Sequence, residues 1–540
     1  MESEDRDGML DNRVRRFLLP TKICLPFVMT EGATDAWLQN NNADITLFPG
    51  CDYLLDFGCE VHGGIRLDIP STENGKPVLV RVTFGESISE AMATPNNDHA
   101  IHQANVWCAW MGFTEFGSTG FRFVRIQSLQ ENTTFTLRQI HAVTLMRDLP
   151  QLGSFTCSDP RLNSIRDVGA RTVHLCLQDH VWDGIKRDRL VWIGDLHPEA
   201  MVTATVFGRL DVVEKSLDLL RDRTSLPGWM NGISSYSLWW VLIHRDWYTL
   251  YGDMHYLSAQ LSYLAPLLGQ ILGCLDEDGH ENLSGYRFLE WPTSGDPDAI
   301  SAGLQALVLL TLDAGAFLCR VLQADNVASE CEAAATRMRH CGPRETTSKQ
   351  SVALQVLAGL RDPQEANLTV LSQDPYRGIS TFYGYYVLEA RTLAQDITGC
   401  LELIRTYWGG MIDMGATSFW EGFEIDWMDN ATPIDAFPVD GRPDIHADFG
   451  DWCYKGLRHS LCHGWAAGPT AWLQQTVLGI RPSTNPDFDY VVWPKLGDLE
   501  WAKGSFPTPE GLIEVEITNV AGVLSVQLKH PDGLRIDKPK

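Results

Sequence analysis

The chain has 540 residues, 44% of them hydrophobic and 21% charged, with a net charge of −26. This length exceeds one ordinary hydrophobic core and predicts two or three domains. The acidic surface excludes nucleic acid or an anionic membrane as main partner, since both would repel it. Eighteen tryptophans add flat apolar faces of the kind that stack on sugar rings, although large domains also use them in their cores. The 13 cysteines show no CxxC pairs and no zinc-like spacing with histidine. The first twenty residues are charged and lack the apolar run of a secretory signal. The expectation is a cytoplasmic chain with reduced thiols, in which the sequons at Asn132, Asn282, Asn367 and Asn430 occur by chance.

Taken in chain order, residues 1–20 read as a tail. Residues 21–150 hold short β-branched and aromatic runs (52–57, 64–69, 78–84, 121–126, 134–140) between Gly, Asn and Pro clusters, the pattern of a β-sandwich. The pattern changes at Ser158-Asp-Pro-Arg-Leu, where a cap residue and a first-turn proline open a helix. Helical periodicity predicts helices near 160–177, 196–222, 235–251, 254–274, 297–323, 347–360, 384–407 and 452–478. Paired helices over some 320 residues, separated by aromatic loops, fit a toroid with a funnel at one end. Strand patterns return near 489–493, 512–517 and 523–528, giving domains at 155–480 and 481–540, with a frayed lysine-rich end.

The densest polar stretch runs from Asp183 to Glu199 and contains Lys186, Arg187, Asp188, Arg189, Trp192, Asp195 and His197. The spacings of five and seven between Asp183, Asp188 and Asp195 do not fit one helix face, so a loop projecting them into a cavity suits them better. Cations beside some acids and a tryptophan beside others would split their pKa values, as glycoside hydrolysis requires. The pattern alone also fits a solvated, salt-bridged turn. A second segment, Gly415 to Trp427, places Glu421 directly after Trp420. Three further patches combine aromatic bodies with polar tips: Trp239-Trp240 to Trp247, Leu289-Glu290-Trp291, and Arg458 to Trp465 with His459 and His463. The two histidines at i, i+4 are a weak metal signature, read instead as core or substrate contacts. No P-loop, GxGxxG or GxSxG occurs, so NTPase, dinucleotide-binding and α/β-hydrolase readings lose support.

Asp183-Gly-Ile-Lys-Arg-Asp-Arg-Leu-Val-Trp-Ile-Gly-Asp195 resembles a signature block of the α-L-rhamnosidases, glycoside hydrolase family 78. Similar pieces follow the same order: Phe155 to Ile165, Arg245 to Asp253, Ala416 to Glu421, Trp472 to Pro482 and Val492 to Ala502. In the sandwich region, Asp56-Phe-Gly and Phe84-Gly-Glu-Ser are similar to the family's accessory domain. The resemblance implies a multidomain, mainly α protein, with an (α/α)6 barrel flanked by an N-terminal β-sandwich and a small C-terminal β-sheet domain. It implies inverting exo-hydrolysis of a terminal α-L-rhamnosyl group, with Asp188 as general acid and Glu421 as general base. Asp183 and Asp195 would bind hydroxyls and Trp192 would pack on the sugar. Arg187, Trp240, Trp291, Trp420 and His463 complete the candidate substrate-binding set. The partner is a carbohydrate or glycoside, and neither cofactor nor metal is called for.

Asp188 departs from the family, which usually has Glu there. The lost methylene retracts the carboxyl by roughly 1.5 Å. Glu199 is the alternative acid. Another sugar or uronate on the same toroid, or a silent carbohydrate-binding protein, are the alternative functions.

Overall fold

The computed structural model describes residues 11–26, 38, 44–95, 102–444, 447, 450–520 and 522–538, with the Cys453 side chain left out. Residues 1–10 of the expected tail, and the last two of the lysine-rich end, lie outside them.

The N-terminal part is two packed sheets. Strands β1 (Arg13–Leu18), β10 (Gln139–Arg147), β4 (Asp52–Ile69), β8 (Gly112–Ser128), β6 (Val78–Gly85) and β7 (His102–Cys108) lie in that order in one antiparallel sheet, and β2 (Lys22–Pro26) also pairs with β4. A second sheet of β3 (Ile45–Leu47), β9 (Phe135–Leu137) and β5 (Ser71–Thr72) shares its core, in which Ile45, Leu47, Phe135 and Leu137 meet Tyr53, Val80, Phe121 and Ile126. Arg13–Leu18, read as tail, is a strand because it pairs in register with β10 from Arg13↔Arg147 to Leu18↔Ala142. The two runs at 52–57 and 64–69 form one long strand whose pairing with β8 shifts register between Asp56 and Val61.

Six helices form the inner layer of the central domain: α1 (Ile193–Val206), α2 (Ser234–Tyr251), α3 (Pro297–Val321), α4 (Lys349–Leu357), α5 (Gly384–Leu393) and α6 (Gly468–Trp472, continued as a π turn through Val477). Each packs on the next, and α6 packs back on α1, which closes a ring. Helices Pro160–Cys176, Asp211–Arg223, Met254–Leu272 and Asp325–Cys341, with the segments 363–371 and 397–408, pack around it. The apolar residues of these helices form a single core with the C-terminal strands. Helix α3 is long and apolar enough to cross a membrane, but 83% of its most apolar window is buried as a wall of this ring.

Several helix boundaries differ from expectation for local reasons. The expected 196–222 helix is two, broken at Gly208, whose φ of +81° is a left-handed turn that ends α1. The expected 384–407 helix breaks where Gln395 adopts φ +59° and Asp396 caps the next helix through the Gly399 N–H. The expected 452–478 helix is an irregular segment with short turns until Gly464, so His459 and His463 do not share a helix face. Helix Asp325–Cys341 is absent from the sequence reading because its buried face is mostly small residues, Ala328, Cys331, Ala334 and Ala335, among charged ones.

The C-terminal strands Trp501–Thr508, Gly511–Val520 and Val523–Lys529 form a sheet that takes in β11 (Ser154–Cys157). Near the lysine-rich end, Ile536–Asp537 pairs with Tyr490–Val492 rather than fraying.

Two open cavities lie in the ring among the described residues. One, of about 280 Å³, lies where α1 and α2 begin. The other, of about 700 Å³, is lined by residues further along the inner helices, from Trp239 to Leu250 of α2 and from Leu310 to Phe317 of α3.

Candidate active site

The smaller cavity is built from loops at helix starts. Asp183 opens a tight loop closed by two hydrogen bonds to Leu190: the Asp183 N–H donates to the Leu190 carbonyl (3.0 Å) and Asp183 Oδ1 accepts from the Leu190 N–H (2.9 Å). Asp188 and Arg189 at its tip both have left-handed backbones, φ 55° and 54°. Such conformations are costly for residues with a Cβ, and persist where the surroundings fix them. Here Arg187 Nε donates to the Arg458 carbonyl and Arg189 to the Ser118 carbonyl, pinning the tip on both sides. Asp195 sits in the first turn of α1, where the helix dipole favours a carboxylate. Asn231 (φ 54°) accepts from the Ile193 N–H and donates to the Val191 carbonyl, seating the start of that helix.

The fold brings Glu421 to this loop from across the sequence. Glu421 Oε2 accepts from Arg187 Nη2 (2.5 Å) and from the Ser460 N–H (3.2 Å), and its own N–H donates to the Ser460 carbonyl (2.9 Å). Its carbonyl accepts from Thr381 (2.6 Å) and from the Trp465 indole (2.9 Å). Arg187 Nη1 lies 3.3 Å from Asp188 Oδ2, so one guanidinium stands between the Asp188 and Glu421 carboxylates. Glu421 is buried, whereas Asp188, its side chain 40% exposed, stands at the mouth. His463 Nε2 is the hub of the floor, 3.7 Å from Asp183 and 3.8 Å from both Asp195 and Glu421.

The electrostatics of this floor are unusual for a salt-bridged turn. Burial, and then the neighbouring Asp195, push Asp183 well above the ordinary carboxylate range. Burial does the same to Asp195, against the opposing hydrogen bond from Tyr236 (3.0 Å). Burial and the Arg187 charge hold His463 well below its usual value, as a neutral imidazole. Burial thus disfavours charge on Asp183, Asp195 and His463 alike, and the floor offers carboxyl oxygens and an imidazole ring as hydrogen-bonding groups. Trp192, Ile233, Tyr236, Tyr286, Phe288, Trp291 and Trp465 form the apolar wall.

Of the candidate residues, Asp183, Arg187, Asp188, Trp192, Asp195, Trp291, Glu421 and His463 line this cavity, and Trp240 and Trp420 do not. Trp240 points between inner and outer helices, where its indole donates to the Leu217 carbonyl (3.2 Å) and packs on His244 and Tyr263. One residue along a helix is a rotation of about 100°, and it is Trp239 that turns inward, to the other cavity. Trp420 is buried, its ring nearly perpendicular to those of Phe423 and His459. Glu199, the alternative acid, lies behind the floor: it is buried, raised by burial and by Asp195, and so close to Gly464 that a Cβ there would collide with it. It does not line the cavity. Tyr236, Tyr286 and Phe288 escaped sequence reading because aromatic residues at helix starts and in loops look the same whether they face core or cavity. Trp465 was visible only as part of a patch.

Residues 150–336 match the model of the bacterial α-L-rhamnosidase six-hairpin glycosidase domain. A curated α-L-rhamnosidase of Formosa agariphila is 24% identical over 192 residues, 32% of this chain and 19% of its own length. A family 78 rhamnosidase of Bacillus sp. GL1 superposes with a TM-score of 0.74 at 21% identity, over 95% of this chain and 54% of that one. A Klebsiella oxytoca rhamnosidase, solved with rhamnose bound, gives 0.71 at 20% identity, over 86% of this chain and 96% of its own. The chain thus spans about a fifth of the curated relative and about half of the Bacillus enzyme. It resembles the α-L-rhamnosidases of glycoside hydrolase family 78 in sequence over residues 150–336 and in fold over nearly its whole length.

Proposed function

We propose that this chain is an exo-acting glycoside hydrolase that releases terminal α-L-rhamnose with inversion, on an (α/α)6 barrel formed by the closed ring and its outer layer. We divide the chain into an accessory sandwich (21–150, extended by strand β1), a catalytic domain (155–480) and a C-terminal β domain (481–540). The observation that carries the reading is the meeting of Asp183, Asp188, Asp195 and Glu421, from segments some 230 residues apart, in one small cavity under an aromatic wall. Ligand pockets usually run from roughly 300 to 1,000 Å³, so a cavity of about 280 Å³ suits a single sugar ring and favours exo action.

Asp188 at the mouth is the general acid that protonates the departing glycosidic oxygen. Glu421, fixed by Arg187 and Ser460, is the base that takes a proton from the attacking water. Asp183, Asp195 and His463 hold the ring hydroxyls, and the apolar wall takes the 6-methyl group of the deoxy sugar. A panel of nitrophenyl glycosides tests the reading. The α-L-rhamnoside is expected to turn over fastest, with activity lost in both Asp188→Asn and Glu421→Gln. Rhamnose binding without turnover of any glycoside would refute it.

A further inference from the structure

Two sandwich motifs, Asp56-Phe-Gly and Phe84-Gly-Glu-Ser, have no part in the chemistry above, yet both reach its supports. Asp56 holds Arg122 through two hydrogen bonds of 2.8 Å, with both side chains buried. Arg122 Nη1 then donates to the Gly415 carbonyl (2.9 Å), at the start of the segment leading to Glu421. Two residues on, Thr417 Oγ1 accepts from the Glu60 N–H (2.8 Å). Glu86 Oε2 accepts from the Leu461 N–H (2.6 Å). Lys186 Nζ lies 3.2 Å from Glu86 and 3.3 Å from Glu90, and donates to the carbonyls of Leu457 (2.8 Å) and His459 (2.6 Å). Ser460, between those anchors, supplies the N–H that holds Glu421 Oε2, and Arg187, next to Lys186, holds the same oxygen.

This cluster is expensive. Lys186, Glu86 and Glu90 are all buried. Burial works against the Lys186 charge, but Glu86 and Glu90 outweigh it and keep the lysine a cation. A buried ion pair is often no more stable than apolar side chains of the same volume. Stability alone therefore accounts poorly for one lysine and two glutamates here, whereas fixed geometry for the 457–461 segment accounts for all five contacts.

We infer that the sandwich is part of the active-site framework: Glu86 and Glu90, acting through Lys186, are positioning residues for Glu421. The inference rests on the proposed role of Glu421. A shift of about 1 Å in a reacting group costs on the order of 100-fold in rate. Lys186→Met and the milder Glu86→Gln are thus expected to lower kcat about 10- to 100-fold, with KM for the rhamnoside within about threefold of wild type. Adding Lys186→Met to Glu421→Gln should cost nothing further, because the lysine acts only through that residue. Hydrogen exchange gives a readout independent of turnover: the amides of 457–463 should lose protection in both variants while α1–α6 keep theirs. Unchanged exchange in this segment, or a full additional loss in the double variant, would overturn the inference. If wild type turns over no glycoside, the functional reading fails, and the exchange pattern still decides the positioning claim.

Discussion

The two cavities of the helical ring differ in a way that volume does not predict. The larger one, of about 700 Å³, has walls from all six inner helices and aromatic faces from Trp239, Tyr385 and Tyr386. Its acids all have partners: Asp246 lies 2.5 Å from Arg245 and 2.9 Å from His197, Glu389 lies 2.8 Å from Arg481, and Asp313 lies 2.5 Å from Arg339. Burial would raise Asp246, but Arg245 and His197 outweigh it and hold it below the ordinary range. In the smaller cavity, Asp183 and Asp195 have, among the described residues, no cation within ion-pair distance other than a histidine held neutral, and both are pushed well above that range. Paired acids settle a fold. Acids buried together without a cation have perturbed pKa values, which cluster at functional sites.

Removing the proposed acid and base should have the largest effect on the smaller cavity. Glu421→Gln and Asp188→Asn should each lower kcat by about 10²- to 10⁴-fold, the usual worth of a positioned proton-transfer group. A variant of either that keeps wild-type turnover would take that residue out of its role.

The next effect should run in opposite directions for affinity and stability. Asp183→Asn and Asp195→Asn exchange one carboxyl oxygen for an amide group that donates but cannot accept, and should raise KM by about 10- to 100-fold, the equivalent of roughly 1.5–3 kcal/mol. Their folded pKa values lie above the ordinary 3.8. As pH rises from there, the unfolded chain releases protons that the folded one retains, so the wild type loses stability until the folded pKa is passed. The variants lack that loss. Their Tm should exceed wild type by a margin that grows from pH 4 upward, as thermal melts across pH would record.

The sign reverses in the other cavity. The depressed pKa of Asp246 stabilises the fold above its ordinary value of 3.8, and that contribution is lost as pH falls through the folded pKa. Asp246→Asn should cost about 1–3 kcal/mol near neutrality, with the deficit shrinking in acid, while kcat stays within about twofold of wild type. The smallest effect belongs to Trp240→Phe, which loses the bond to Leu217 but leaves KM unchanged; Trp291→Ala, in the wall of the smaller cavity, should weaken substrate binding instead.

What could be read from the sequence follows the same division. The Asp183–Asp195 loop was legible because acids, cations and tryptophan crowd into one short stretch, and Glu421 because Trp-Glu followed in family order. Trp239 and Trp240 were not separable, since a helical phase is needed to say which of two adjacent residues faces inward. The sequence reads 455–463 as helix because its apolar spacing passes for periodicity; in the structure it follows an irregular course with one short turn at Gly456–Arg458, held by Lys186 and Glu86 through contacts no local pattern encodes. The long strand β4 and the breaks at Gly208 and Gln395 were hidden for a similar reason, as pairing and left-handed turns depend on neighbours distant in sequence.

In the proposed mechanism, the smaller cavity hydrolyses a terminal α-L-rhamnosyl group by a single displacement between Asp188 and Glu421. Proton NMR of the first-formed sugar from nitrophenyl α-L-rhamnoside tests it most directly. β-L-Rhamnose is expected to appear first and then mutarotate; initial release of the α-anomer would rule out the single displacement.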